Sequence, residues 1–301
     1  MDICKKIWFV NRINFGRWKN DRRIWIIFFF VAILLIQELR GFTQYGLDTG
    51  EKCTAYLLAL LFSTPSVSIG SMKMLLYFGC LLMLCDAPFM YQNTLYVVLR
   101  SRRNCWWMGE CLYILLSTFL YICFITLIST IVILPVATFG ESWGEVARNL
   151  TYGLVGMNPS EVVAKYKIYL DFPVDSLGYL LPLGVQFYTF FTVWISFLVL
   201  GLIQYLVSLV SRSNFLGFVS AGVFVCLDPI LGLNTLPSSL RWVQIFSPVC
   251  WTCTDNLKMV NQHNFLTIPV VVVMFVVFIV LLLLGIWWFS QRVMITTRKD
   301  D

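Results

Sequence analysis

Arg100, Arg102 and Arg103 are followed closely by Trp106 and Trp107, in the string Leu99-Arg100-Ser101-Arg102-Arg103-Asn104-Cys105-Trp106-Trp107-Met108-Gly109. Guanidinium groups are planar forks of donors suited to carboxylates or anionic lipid. Tryptophans beside them suit a membrane–water boundary. Two readings stand side by side: a basic loop with an aromatic anchor, or a docking surface for a partner. A second set of capable groups is acidic. Asp86 lies in Asp86-Ala87-Pro88 and Asp228 in Asp228-Pro229, each inside or near an apolar run. Proline frees a carbonyl upstream and bends a helix, which leaves a polar gap at that depth. Asp86 and Asp228 are therefore either helix-end groups or charges of a gate or pathway. Glu110 is expected to pair with a neighbouring arginine.

Other chemistry is thinly represented. Of the ten cysteines, only Cys250 and Cys253 form a C-x-x-C, with no second pair to complete a zinc set. They read as two loop thiols, with a local disulfide as the lesser option. His263 is the single histidine, so metal and triad chemistry have little to draw on, and no metal site is expected. No G-x-x-x-x-G-K-S/T loop occurs, so this chain is not expected to bind nucleotide in that manner or to be an enzyme. Gln186, Tyr188, Trp194, Gln204 and Tyr205 punctuate one apolar run, and Gln186 and Gln204 join the pathway candidates. Gly217, Ser220, Ala221 and Gly222 cluster in the next run. There small residues let helix backbones approach closely, so Gly217, Ala221 and Gly222 are assigned to helix packing.

The elements that must hold these groups are dictated by composition. Of 301 residues, 59% are hydrophobic and 13% charged, far from the usual balance of soluble domains. The run 267–290 contains no charge, and about 20 apolar residues cross a bilayer as a helix. A free peptide group in hydrocarbon has no water partner, so such runs satisfy their own backbone as helices. Further spans are expected at 24–37, 72–90, 112–134, 183–210 and 215–233. The run 55–62 would cover only about 12 Å and reads as a partly inserted outer segment. Residues 1–23 alternate Ile3, Ile7, Trp8, Phe15 and Trp18 with Lys5, Lys6, Arg12, Arg17 and Lys19. This reads as an amphipathic helix in the interface, with a plain basic tail as the alternative.

The fold class that follows is an all-α polytopic membrane protein of six transmembrane helices in a single domain. An interfacial segment (1–23) precedes spans one and two (24–90), a basic segment (91–109), span three (110–135) and an outer segment (136–180). Spans four and five (181–233), a second outer segment (234–266) and span six with its tail (267–301) complete it. With both termini inside, fourteen of the 22 Lys and Arg lie on the inner side. They sit in the first segment, the arginine loop, Arg212 and the tail with Arg292, Arg298 and Lys299. That asymmetry predicts cytoplasmic termini and accounts for the net charge of +6 without nucleic acid. The segment 136–180 holds Glu141, Glu145, Glu161, Asp171 and Asp175, suited either to cap the exit or to recognise a cationic peptide. No repeat relates the two halves, so an inverted-repeat transporter is not supported.

Taken together, the arrangement resembles the type-two ABC permease family, exporters built from six-span subunits. Its elbow helix is matched by 1–23, and its short basic segment between spans two and three by 91–109. Its broken, re-entrant outer segment after span five is matched by Ile245-Phe246-Ser247-Pro248-Val249-Cys250-Trp251. The departures are the long segment 136–180 and the short apolar 55–62. The resemblance implies a dimeric permease, with a copy or a different chain as second subunit, and cytoplasmic ABC ATPases docked beneath. ATP and Mg would be bound by the ATPases. The coupling surface would be Arg100, Arg102, Arg103, Trp106 and Trp107, and the location the plasma membrane. A stand-alone channel or ion-coupled transporter using Asp86 or Asp228 is the alternative.

Overall fold

The computed structural model describes residues 3–62, 72–89, 94–140, 142–152, 164–168, 181–232, 238–254, 257–258 and 266–292. Pro65, Met90, Glu141, Glu161, Asp171, Asp175, His263, Arg298 and Lys299 lie outside these. Ten helices are used below: α1 (Ile3–Trp18), α2 (Arg22–Thr49), α3 (Leu58–Leu61), α4 (Met72–Met83), α5 (Thr94–Ser101), α6 (Arg103–Ile133), α7 (Gly144–Tyr152), α8 (Pro182–Ser211), α9 (Asn214–Gly232) and α10 (Ile268–Arg292). Five of them, α2, α6, α8, α9 and α10, are long and apolar enough to cross a membrane. The protein is thus a mostly helical, multi-pass membrane protein.

The expected second span is the main difference. α4 has 12 residues, about 18 Å at 1.5 Å per residue, well short of a hydrocarbon core of about 30 Å. It ends at Met83 because Leu84–Phe89 turns, with Asp86 and Pro88 in the turn. α2, by contrast, runs to Thr49, far beyond the predicted 37, and closes on Gly50 in the left-handed conformation at φ 73°. Gly at that cap carries no Cβ penalty. α6 starts at Arg103 rather than 112, so part of the predicted polar loop is helix. The remaining three spans begin and end within about two residues of expectation.

Side-chain contacts fix the up-and-down order. At one end, Arg23 at the start of α2 binds Asp86 just past α4, and Asn214 at the start of α9 donates to the Asp86 carbonyl at 3.3 Å. Arg103 at the start of α6 donates to the Gln291 carbonyl near the end of α10 at 2.6 Å. This basic end also carries α1, α5 and Arg212. At the opposite end, Thr43 of α2 donates to the Val132 carbonyl of α6 at 3.0 Å. There β1 (Cys53–Thr54) and β2 (Ala137–Thr138) pair in parallel, Cys53 beside Ala137. The run 55–62 folds as α3 with flanking turns, and Leu57 to Phe62 are all buried. Within the protein these residues pack against the bundle as one short helical turn.

The core is aromatic at its centre. The Tyr77 and Phe197 rings lie 4.7 Å apart, with Tyr121 5.5 Å from Phe197, the edge-on geometry that ring quadrupoles favour. Apolar residues on α2, α9 and α10, such as Phe29, Val223 and Leu281, point outward, as lipid contact requires. α8 is the most enclosed span, 72% of its most apolar window being buried.

Gly217 marks the closest approach of α9 to α8. A Cβ there would stand 1.9 Å from Ser208 Oγ and 2.5 Å from the Gln204 carbonyl. Gly217→Ala should therefore push α9 off α8, at a cost of about 1–3 kcal/mol. A thermal unfolding midpoint in detergent equal to that of the unaltered protein would show the approach to be looser than described.

Candidate functional site

α8 brings polar side chains to the face it turns toward α4 and α9. Thr189, Thr192, Ser196, Gln204 and Ser208 are all buried on it. Their spacing of three, four and eight keeps them near one stripe of the helix. α4 answers from across the seam: the Tyr77 hydroxyl contacts Ser196 Oγ at 2.8 Å. Gln204 Nε2 donates to the Leu84 carbonyl in the turn after α4 at 2.9 Å, a carbonyl that also accepts the Ala87 amide at 3.0 Å. Gln204, a pathway candidate, thereby ties α8 to the turn after α4.

The strongest feature of the seam is a buried ion pair. Lys73 Nζ of α4 lies 3.0 Å and 3.1 Å from the two carboxylate oxygens of Asp228 on α9. Their side chains are 2% and 1% exposed. Asp228 is 14 residues into α9, about 21 Å from its start, and Lys73 stands in the first turn of α4, so the pair lies toward the end opposite the basic one, enclosed by protein. The turn over it is made by Ser238–Phe246 and Cys250–Thr252, two 3-10 segments. Trp251 anchors that turn: its Nε1 donates to the Gln244 carbonyl at 3.0 Å, and its ring stacks edge-on against Phe275 at 4.7 Å. Tyr188 donates to the Trp251 carbonyl at 3.0 Å. Val249 to Thr254 are buried, so the segment after α9 dips into the bundle and covers the ion pair. The ten cysteines form no disulfide, Cys250 and Cys253 included.

Lys73 was missed in the sequence because a lysine opening an apolar run looks like a snorkelling residue. The signal was its count: an acid and a base both at membrane depth call for each other. Asp86 proves to be a different kind of group. Arg23 binds it with both guanidinium nitrogens, and the same arginine holds Asp21 at 2.7 Å. That contact keeps the Asp21 carboxyl below its usual range. Asp86 and Arg23 are a third to a half exposed, so the pair is a rim contact rather than a deep charge. Gln186 stands apart, accepting the Leu58 amide at 3.1 Å. Ala221 is buried, and a Cβ on Gly222 would meet only Phe78 of α4, at 3.5 Å.

The basic end holds the arginine and tryptophan string. Arg100 and Arg102 are exposed, with the Arg100 guanidinium over the Phe9 ring of α1 at 5.1 Å, a cation–π contact. Arg102 has a φ of 73°, which is where the chain breaks between α5 and α6. Trp106 and Trp107 are buried at 1% and 8% exposure, contrary to a boundary or docking position. Their helix places them against the protein, because α6 begins before them. In their place α5 offers Tyr96 and Leu99, 74% and 80% exposed. Glu110 accepts from Asn14 of α1 at 2.7 Å, with Arg17 close by. Trp18 of α1 donates to the Tyr113 hydroxyl at 2.8 Å. The face of α1 turned to the bundle thus carries Asn11 and Asn14 beside Val10, a more polar face than an interfacial helix requires.

No family model, curated protein or solved structure matches this chain.

Removing one charge of the buried pair leaves the other without a counter-ion, a loss of about 3–5 kcal/mol. Asp228→Leu or Lys73→Met alone should lower unfolding midpoints sharply, and the two changes together should recover much of the loss. Single variants as stable as the unaltered protein would mean that water reaches the pair.

Proposed function

We propose that this chain is the membrane-spanning permease subunit of an ATP-driven ABC exporter, working as a dimer with a second permease and separate cytoplasmic ATPases. One observation carries the reading. α5 is a short helix at the basic end that presents Tyr96, Leu99 and Arg100 outward, beside exposed Arg102. It is tied inward through Arg100 over Phe9, and the adjoining Arg103 binds the end of α10. A partner pressing on α5 moves α1 and α10 with it. The sequence has no nucleotide-binding loop of its own, so ATP and Mg belong to that partner.

In this reading the basic end faces the cytoplasm and both termini lie there, in the plasma membrane. α1 is the elbow, and the coupling surface is Arg100, Arg102 and Arg103 with Tyr96 and Leu99. Trp106 and Trp107 stiffen it from behind. α4, shorter than a full span, stands in the place of the sixth crossing with its turn to Phe89, and the segment between α9 and α10 is the re-entrant outer element. The polar seam between α4, α8 and α9 is the pathway, closed by Lys73, Asp228 and the turn carrying Trp251. ATPase closure pushes on α5 and α1. Through Arg23 and Asp86 it shifts α4 against α9.

A stand-alone ion-coupled transporter is the second reading, and the buried Asp228 favours it. In that case Lys73 would have to leave the carboxylate for an ion to bind. Flux driven by an ion gradient without ATP, in vesicles holding this chain alone, selects this reading.

Replacing Arg100, Arg102 and Arg103 with Glu inverts the charge of the coupling surface, and like-charge juxtaposition at an interface costs several kcal/mol. ATPase co-purification and ATP-dependent transport should fall by an order of magnitude or more while the spans stay folded. Undiminished transport in that variant removes the coupling assignment.

A further inference from the structure

One corner of the basic end carries cations that no acid answers. Trp8 and Arg12 are exposed on α1, Lys19 in the turn that follows it, and Arg22 at the start of α2. Asp21 is the only acidic residue between positions 3 and 37, and Arg23 already holds it at 2.7 Å. Asp86, the next acid in reach, is bound by the same guanidinium. Among the described residues no carboxylate pairs with Arg12, Lys19 or Arg22.

The corner opens directly onto a lipid-facing surface. Trp25 is 62% exposed, and its Nε1 donates to the Trp18 carbonyl at 3.0 Å, which pins the start of α2 to the end of α1. Below it Phe29, Ile33 and Ile36 are exposed at helical spacing. From Arg22 to Ile36 the helix rises about 21 Å, comparable to the depth of one leaflet's acyl chains plus its headgroup region. A basic rim, indole rings at the boundary and an apolar stripe are therefore stacked in the order in which a phospholipid presents phosphate, glycerol and hydrocarbon.

We infer that the corner between α1 and α2 binds an anionic phospholipid. The headgroup phosphate lies against Lys19 and Arg22, and the acyl chains run along Phe29, Ile33 and Ile36. The choice of an anionic over a zwitterionic lipid follows from charge. A zwitterionic headgroup brings a cation of its own toward Arg12, Lys19 and Arg22, whereas an anionic one brings net negative charge to cations with no protein partner. Basic residues at a membrane surface attract anionic lipid in this way. The inference goes beyond the exporter reading and does not depend on it, since it needs only that α2 spans a bilayer.

The test uses the full chain in nanodiscs of phosphatidylcholine with a minor share of phosphatidylglycerol, followed by limited delipidation and mass spectrometry of the retained lipid. Phosphatidylglycerol should be enriched over its bulk share. In the K19E/R22E variant the enrichment should drop by about fivefold or more, from the loss of favourable charge at the surface. K19R/R22K should keep it, and K52E, at the opposite end of the bundle, should leave it unchanged. Excess inorganic phosphate should not compete, because the acyl chains supply part of the binding. Equal enrichment in K19E/R22E and the unaltered chain overturns the site. So does an equal drop in K52E, which would mark a general charge effect, or displacement by phosphate alone. Far-ultraviolet circular dichroism establishes that each variant retains its helices.

Discussion

Polar side chains at membrane depth have no water to fall back on, and the packing around α8 answers that constraint. Thr189, Thr192, Ser196, Gln204 and Ser208 are turned inward on one stripe, and the helix that carries them is the most enclosed of the five spans. Each neighbour is then placed by what that stripe needs. α4 supplies the Tyr77 hydroxyl, and the turn after it supplies the Leu84 carbonyl that Gln204 binds. α9 comes close because Gly217 has no side chain to hold it away. Lys73 and Asp228 meet across the same seam, where an isolated charge would be far costlier than a matched one.

The two ends of the bundle are fastened by different chemistry. The basic end is held by side chains that are charged or strongly polar: Arg23 on Asp86, Asn14 on Glu110, and Trp18 on Tyr113. The opposite end is held by backbone pairing between β1 and β2 and by the Trp251 anchor in its tight turns. Rim charge pairs are weak individually and are screened by salt, which applies to Arg23 on Asp86, whereas Asn14 and Glu110 are buried. Moving the covered seam exposes polar groups to hydrocarbon.

The arginine and tryptophan string illustrates how a local pattern divides between roles. Arg100 and Arg102 remain at the surface, whereas Trp106 and Trp107 turn inward with the first turns of α6. The exposed apolar residues of that region are instead Tyr96 and Leu99. One basic end therefore offers two surfaces of separate chemistry, α5 with arginines beside apolar side chains, and the α1–α2 corner with cations above a lipid-facing stripe.

The membrane environment, the bounds of α8, α9 and α10 to within about two residues, and the gathering of arginines on one side were legible in the sequence. Continuous apolar length and charge asymmetry are properties of the chain itself, and hydrocarbon leaves the backbone little choice but helix. What the sequence could not decide were the partners. Asp86 reads like Asp228, each an acid before a proline, yet one meets an arginine at the rim and the other a lysine in the interior. The shortness of α4, the early start of α6 and the inward turn of Trp106 and Trp107 are likewise set by contacts over about a hundred residues of chain or fewer than a dozen, with no local mark to tell them apart. Only the folded chain brings Lys73 within 3.1 Å of a carboxylate 155 positions away, and it is the loss of water at that depth that makes their meeting obligatory.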